Sequence, residues 1–206
     1  MFRLLFVIIV LLSNLAAASD FENKIVKNSV FEAGPYDFVY GQADAPVQIL
    51  EYFSLSCPHC ENFYSNIFPK LKKNYIDTGK VMWIKRSYVT DAASSSGTML
   101  LYCVGKEKYE AYLSILLTKQ ASWAYQKDFI DRLRNIAGLG GMKADKFNAC
   151  MKDKKIDKHL RDVVKEAKVS LKISGSPSFY INKNKADVYT YKAFTKMIDE
   201  ELAGKS

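Results

Sequence analysis

Histidine and cysteine are scarce in this chain: its 206 residues hold two of the first and four of the second. A structural zinc site takes two cysteine pairs, or one pair with closely spaced histidines. Only Cys57 and Cys60 stand close together; Cys103 and Cys150 stand alone, and the one histidine away from the pair is His159. No metal site is expected. A c-type haem needs histidine directly after the second cysteine, and residue 61 is Glu61. Long apolar runs are missing too. The longest, Leu4 to Leu12, has nine residues, and a spanning helix needs ~20. Internal repeats and low-complexity segments are absent. Acidic excess is absent, for the formal charge is +8. Lysines crowd residues 143–172, but Asp145, Asp153, Asp157, Asp162 and Glu166 interleave with them. Opposite charges at helical spacing read as a solvated helix face, not a nucleic-acid patch. Such basicity suits an anionic surface or an acidic partner without identifying either.

What is present begins with a leader. Arg3 precedes the apolar run, and Ala16-Ala17-Ala18 offers a small-residue cleavage site. Residues 1–18 therefore read as a secretory signal peptide, with an uncleaved membrane anchor as the alternative. No cysteine there could carry a lipid, and the final "ELAGKS" is no endoplasmic-reticulum retention signal. The expected destination is a bacterial periplasm or the cell exterior, or the membrane with the protein facing the periplasm. Disulfides persist in such places.

Nearly half of the residues are apolar, enough for a packed core. Residues 19–35 read as a polar lead-in and 36–41 as a short edge strand. "VQILEYF" (47–53) reads as a buried strand whose odd member is the one carboxylate, Glu51. Residues 58–75 fit one helix, with Phe63, Ile67, Leu71 and Tyr75 on one face. A second strand is expected over 81–89. Residues 92–150 then carry helical periodicity and no convincing strand. Tyr109, Tyr112, Leu113, Leu116 and Leu117 line one face; Phe129, Ile130, Leu133 and Ile136 line another, and Gly138 is placed for a C-cap. A further helix is expected over 154–169. Phe179–Ile181, a "NKNK" turn and "ADVY" suggest a hairpin, and a last helix carries Phe194 and Ile198. The order implies an α/β sheet domain interrupted by a helical insertion.

The sharpest feature is "FSLSCPHCENFY" (53–64). With metal and haem set aside, Cys57 and Cys60 are either a structural disulfide or a redox-active pair. A structural bridge across so short a loop removes little unfolded-state entropy, so the redox reading fits best. The spacing has a physical reason. A strand-to-helix turn sets the first cysteine at the helix N-terminus, where unpaired N–H groups and the positive dipole end face its sulfur. Cys57 is then the exposed nucleophile and Cys60 the shielded resolving thiol. His59 adds a donor or a charge nearby. Below ambient pH, each further unit of thiolate pKa depression stabilises the reduced form by about 1.4 kcal/mol. For a two-electron couple that is roughly 30 mV more oxidising.

"VQILEYFSLSCPHC", a helical stretch and then "SGSPSFYIN" resemble the DsbA-like thiol:disulfide oxidoreductases, of alphaproteobacterial type, across residues 36–203. The resemblance implies a thioredoxin fold over 19–91 and 151–206, with the helical insertion at 92–150. It implies a protein dithiol oxidase that donates the Cys57–Cys60 disulfide to reduced, unfolded exported proteins through a mixed disulfide at Cys57. A cis proline, here Pro177, would face the pair. Ser176 before it would lie near the Cys57 sulfur, and both would border the substrate. Glu51 would be the buried acid that moves a proton during thiol release, with Lys85 as its nearby lysine. A DsbB-like membrane quinone reductase would reoxidise the pair. No cofactor, no nucleic-acid partner and a monomer are implied. Cys103 and Cys150 are not general to the family. In an oxidising compartment they would pair; the alternative is two free buried thiols. A disulfide isomerase or reductase on the same fold, and a non-catalytic peptide-binding folding helper, are the rival functions.

Overall fold

A computed structural model describes residues 30–204. The expected signal peptide at 1–18 lies outside the described residues.

Two parallel strands form the centre. β1 (Phe38–Tyr40) is followed by β2 (Val47–Phe53) and, after a helical crossover, by β3 (Val81–Ser87). β2 and β3 pair in parallel from Val47↔Val81 to Phe53↔Ser87. β4 (Ser178–Ile181) runs antiparallel to β2, β5 (Asn184–Ala186) antiparallel to β4, and β1 antiparallel to β3. The sheet order is β1-β3-β2-β4-β5. β2 is apolar almost throughout because both of its faces are covered, as parallel strands require. Val47 and Ile49 pack with Trp83, Phe179 and helical residues Phe63, Phe194 and Ile198. Leu50 and Tyr52 pack on the other face with Ile84, Val163 and Ala167. Each fully buried large side chain of this kind stabilises the fold by ~1.5–3 kcal/mol.

The crossover departs from the single helix expected over 58–75. α1 (Pro58–Asn66) stops, α2 (Phe68–Leu71) restarts, and a π turn follows at Lys72–Ile76. The cause is Pro69, which lacks an N–H and whose ring crowds the carbonyl of Ser65 one turn back. The break inserts one position, so the buried residues are Phe63, Phe68, Leu71, Tyr75 and Ile76, and Ile67 is only partly covered.

Between β3 and β4 lie α3 (Ala92–Cys103), α4 (Lys106–Thr118), α5 (Gln120–Trp123), α6 (Phe129–Leu139), α7 (Ala144–Cys150) and α8 (Lys154–Ser170); α9 (Tyr191–Ala203) closes the chain. Leu100, Leu113, Leu116, Trp123, Leu133 and Phe147 build a second core, and Phe53, Leu55 and Cys60 reach into it from the sheet domain. Helix α8 joins two clusters: Val163 and Ala167 cover the sheet, while Ile156 and Leu160 pack with Met99 and Cys150 in a smaller cluster of their own.

Three local readings change. Gly138 lies inside α6, and the left-handed residue is Gly141 (φ 83°), whose motif closes through Met142 N–H to Ala137 O at 2.9 Å and Gly141 N–H to Gly138 O at 2.9 Å. The hairpin turn is only two residues, Asn182 (φ 45°) and Lys183 (φ 71°), so β5 starts inside the "NKNK" run. The lead-in is not wholly polar, because Val30 and Phe31 are buried, with Phe31 edge-on to Tyr180 at 5.6 Å. Buried Arg86 holds this segment: its guanidinium donates to the carbonyls of Val30 (2.5 Å) and Glu32 (2.6 Å) and pairs with Asp37 at 2.6 Å.

Candidate active site

β2 delivers the chain into the turn Ser54-Leu55-Ser56 and then into α1. Cys57 is the N-cap of α1, with extended backbone (φ −89°, ψ 118°), and Pro58 takes the first helical position, where a missing N–H costs nothing. The Cys57 carbonyl accepts from the N–H of Cys60 (3.1 Å) and Glu61 (3.2 Å). Cys57 is half-buried, Cys60 is buried, and both are free thiols. Ser54 N–H reaches the Cys60 sulfur at 3.4 Å. Across the turn, the Ser176–Pro177 peptide is cis, and the Cys57 thiol lies 3.1 Å from the Ser176 carbonyl oxygen. A groove of about 550 Å³ opens beside the pair between the first turn of α1 and residues 174–178. His59, Ile67, Pro177 and Tyr189 help to line it.

The two sulfurs differ sharply. A hydrogen bond from Cys60 does most to lower Cys57 to about 5; partial burial opposes the shift, and Ser176 and the N–H groups of Cys60 and His59 reinforce it. Burial pushes Cys60 well above the ordinary thiol range, and its bond to Cys57, the Cys57 charge and the Glu51 charge add to this. The help from His59 thus comes through its backbone N–H, while its side chain is exposed at the groove.

Glu51 and Lys85 face each other in the β2–β3 register and are each about 1% exposed. Glu51 Oε2 accepts from Lys85 Nζ at 2.5 Å and from Trp83 Nε1 at 2.8 Å. The Lys85 ammonium also lies 4.4 Å from the ring centre of Phe68. A buried pair needs such extra partners to offset desolvation. Cys103 and Cys150 are joined by a disulfide between the ends of α3 and α7, away from the groove.

Other residues at the site had no place in the sequence reading. Ser56 Oγ donates to Asp91 Oδ2 at 2.6 Å, and Ser54 Oγ lies 3.0 Å from Thr90 Oγ1. Asp91 also caps α3 by accepting from Ser94 N–H at 2.7 Å. Burial works against ionisation of Asp91, but hydrogen bonds from Ser56 and Ser94 hold its carboxyl below the usual range. Gln120 of α5 and Tyr125 reach the same turn from the opposite side. The hydroxyl-rich "SLS" before Cys57 was the one signal available; nothing local marked Gln120, which lies over sixty residues downstream.

Comparison with known proteins places the fold. A family model described as Thioredoxin matches residues 33–200. The "Putative protein-disulfide oxidoreductase" of Rickettsia bellii is 30% identical over 84% of this chain and 67% of its own. The relative of that name in Rickettsia prowazekii is 31% identical over 84% of this chain and 64% of its own. The chain therefore spans about two thirds of the length of these relatives. Among solved structures, alpha-DsbA1 of Wolbachia pipientis is 33% identical, with a TM-score of 0.78 over 87% of this chain and all of the other. BdbD of Bacillus subtilis, at 22% identity and a TM-score of 0.71, shares the fold.

Proposed function

The chain belongs to the thioredoxin-fold family of DsbA-like disulfide oxidoreductases, and from that premise we propose that it is an exported dithiol oxidase. The observation that carries this reading is the contrast between Cys57, half-exposed at a helix N-terminus and lowered to about 5, and Cys60, buried and raised.

In the proposed cycle the protein starts with a Cys57–Cys60 disulfide. A client thiolate attacks Cys57 Sγ, which forms a client–Cys57 disulfide and breaks the Cys57–Cys60 bond. Cys60 leaves with the electron pair and takes a proton, as its raised pKa favours. Glu51, whose charge is felt at Cys60, is the proposed relay for that proton. A second client thiolate then attacks the client sulfur of the mixed disulfide, and Cys57 leaves as its stabilised thiolate. Two electrons pass from client to protein. Ser176 and cis-Pro177 would border an extended client segment in the groove and pair with its backbone. A DsbB-like membrane quinone reductase would restore the disulfide, and a monomer in the periplasm suffices for each step.

The test is equilibration with glutathione near pH 7, with Cys57 followed by ultraviolet thiolate absorbance and Cys57→Ser as the blank. An oxidase gives a strongly oxidising pair and a thiolate that persists well below neutral pH. Free-cysteine titration, or a reducing potential like that of thioredoxin, would sink the reading. Repair of scrambled disulfides without added oxidant would favour an isomerase. Full cellular function with serine at both Cys57 and Cys60 would favour a folding helper.

A further inference from the structure

Three consecutive backbone carbonyls, those of Leu55, Ser56 and Cys57, precede α1, and two side chains of the insertion reach them, Gln120 from α5 and Tyr125 from the turn after it. Gln120 Nε2 donates to Leu55 O at 2.7 Å and to Cys57 O at 3.1 Å. The Tyr125 hydroxyl lies 3.0 Å from Ser56 O and 2.5 Å from Gln120 Oε1. Gln120 is buried, so an unmet polar atom there would be costly. A carboxamide suits the place: its NH2 end offers two N–H donors for two carbonyls, and its oxygen accepts the single Tyr125 O–H, with Ser56 O beside it as the second acceptor in reach. The opposite amide orientation would set Oε1 against two carbonyl oxygens, so the chemistry selects the orientation seen. The short helix that carries Gln120 is itself fixed. Trp123 is fully buried and donates Nε1–H to Leu116 O at 2.9 Å.

The Cys57 carbonyl held by Gln120 also accepts the first N–H groups of α1. Its peptide plane therefore sets the direction of the turn that follows, whose His59 and Cys60 N–H groups help to lower the Cys57 thiol, the latter while also donating to the Cys57 carbonyl at 3.1 Å. We propose that Gln120 and Tyr125 are positioning residues: Gln120 fixes the carbonyls of Leu55 and Cys57, Tyr125 fixes the Gln120 carboxamide, and together they keep those N–H groups aimed at the Cys57 thiolate. The proposal rests on the oxidoreductase reading and adds a way in which the insertion tunes the sulfur.

Gln120→Met keeps length and removes both donors; Tyr125→Phe removes one hydroxyl. In the full chain, Cys57 should titrate about one unit higher in Gln120→Met, with a glutathione equilibrium constant shifted about tenfold toward the protein disulfide, about 30 mV. Tyr125→Phe should shift both in the same direction by less. A role confined to docking the insertion would lower the unfolding temperature and leave the Cys57 titration and the equilibrium constant unmoved. That result in both variants overturns the proposal. If Gln120→Met does not fold, Tyr125→Phe decides alone. A wild-type Cys57 that titrates like free cysteine would sink the oxidase reading and this proposal together. A shifted wild type beside unshifted variants would sink only the latter.

Discussion

Cys57 and Cys60 are three positions apart and electrostatically unlike, and a pH dependence follows from the first of them. Its folded pKa is about 5, against an ordinary value of 9.0. Between those values the folded dithiol has released a proton that the unfolded chain still binds. Stability of the reduced form therefore rises with pH across that window, and this stabilisation is lost as pH falls through about 5. The disulfide form has no such thiol to titrate. Thermal unfolding of both redox forms from about pH 4 to pH 8 should show the reduced form gaining on the oxidised one as pH rises. A pH-independent difference would contradict the assignment of the thiolate. At this scale the sequence was most readable, because a proline after an N-cap cysteine is a local pattern. The partner of Glu51 was less so. Lys85 is named by strand register, which a sequence with two adjacent apolar runs leaves open by one residue.

Among the elements, the packing of α3 against α5 depends on one residue without a side chain. A Cβ at Gly97 would lie 2.6 Å from Trp123 Cη2 and 3.2 Å from Leu55 Cδ1. Gly97→Ala should therefore destabilise the protein by about 1–3 kcal/mol through overpacking. Urea unfolding with an unchanged slope would measure it, and an unchanged or higher midpoint would refute the close approach. Element types were legible from periodicity, while their ends were not. Phe63, Leu71 and Tyr75 kept the four-residue rhythm strong enough to hide Pro69, whose break lets Phe68 replace Ile67 in the core. The hairpin was readable from its strands, but Asn182 binds back to Gln48 of β2, a contact that lies far away in sequence.

For the molecule as a whole, the Cys103–Cys150 disulfide closes a separation of 47 residues across the helical insertion. The chain-entropy model gives ~4 kcal/mol for such a loop, an upper-side figure. Serine at both Cys103 and Cys150 should lower stability by up to that amount in denaturant unfolding. Equal stability with and without the bridge would show that it does not constrain the unfolded chain. The succession of strand, helix, strand, helical block, helix, hairpin and helix was visible in the sequence. The strand order β1-β3-β2-β4-β5 was not, since pairing is non-local and five short strands admit many arrangements. The double duty of α8 was hidden for the same reason. Its amphipathic face was plain, but not that one half would cover the sheet and the other a small cluster around Met99 and Cys150.

Arg86 gives the sheet a boundary condition at its near end. Its guanidinium gives most of its donors to Val30, Glu32 and Asp37, none of which belongs to a strand or helix, and only a 3.2 Å bond to the Tyr52 hydroxyl reaches the sheet. Trimming the chain past Asp37 would strand a cation in a dry interior, though every strand and both redox sulfurs would be intact. The shortest workable form of the molecule is set by one arginine's need for oxygen acceptors that lie ahead of the first strand.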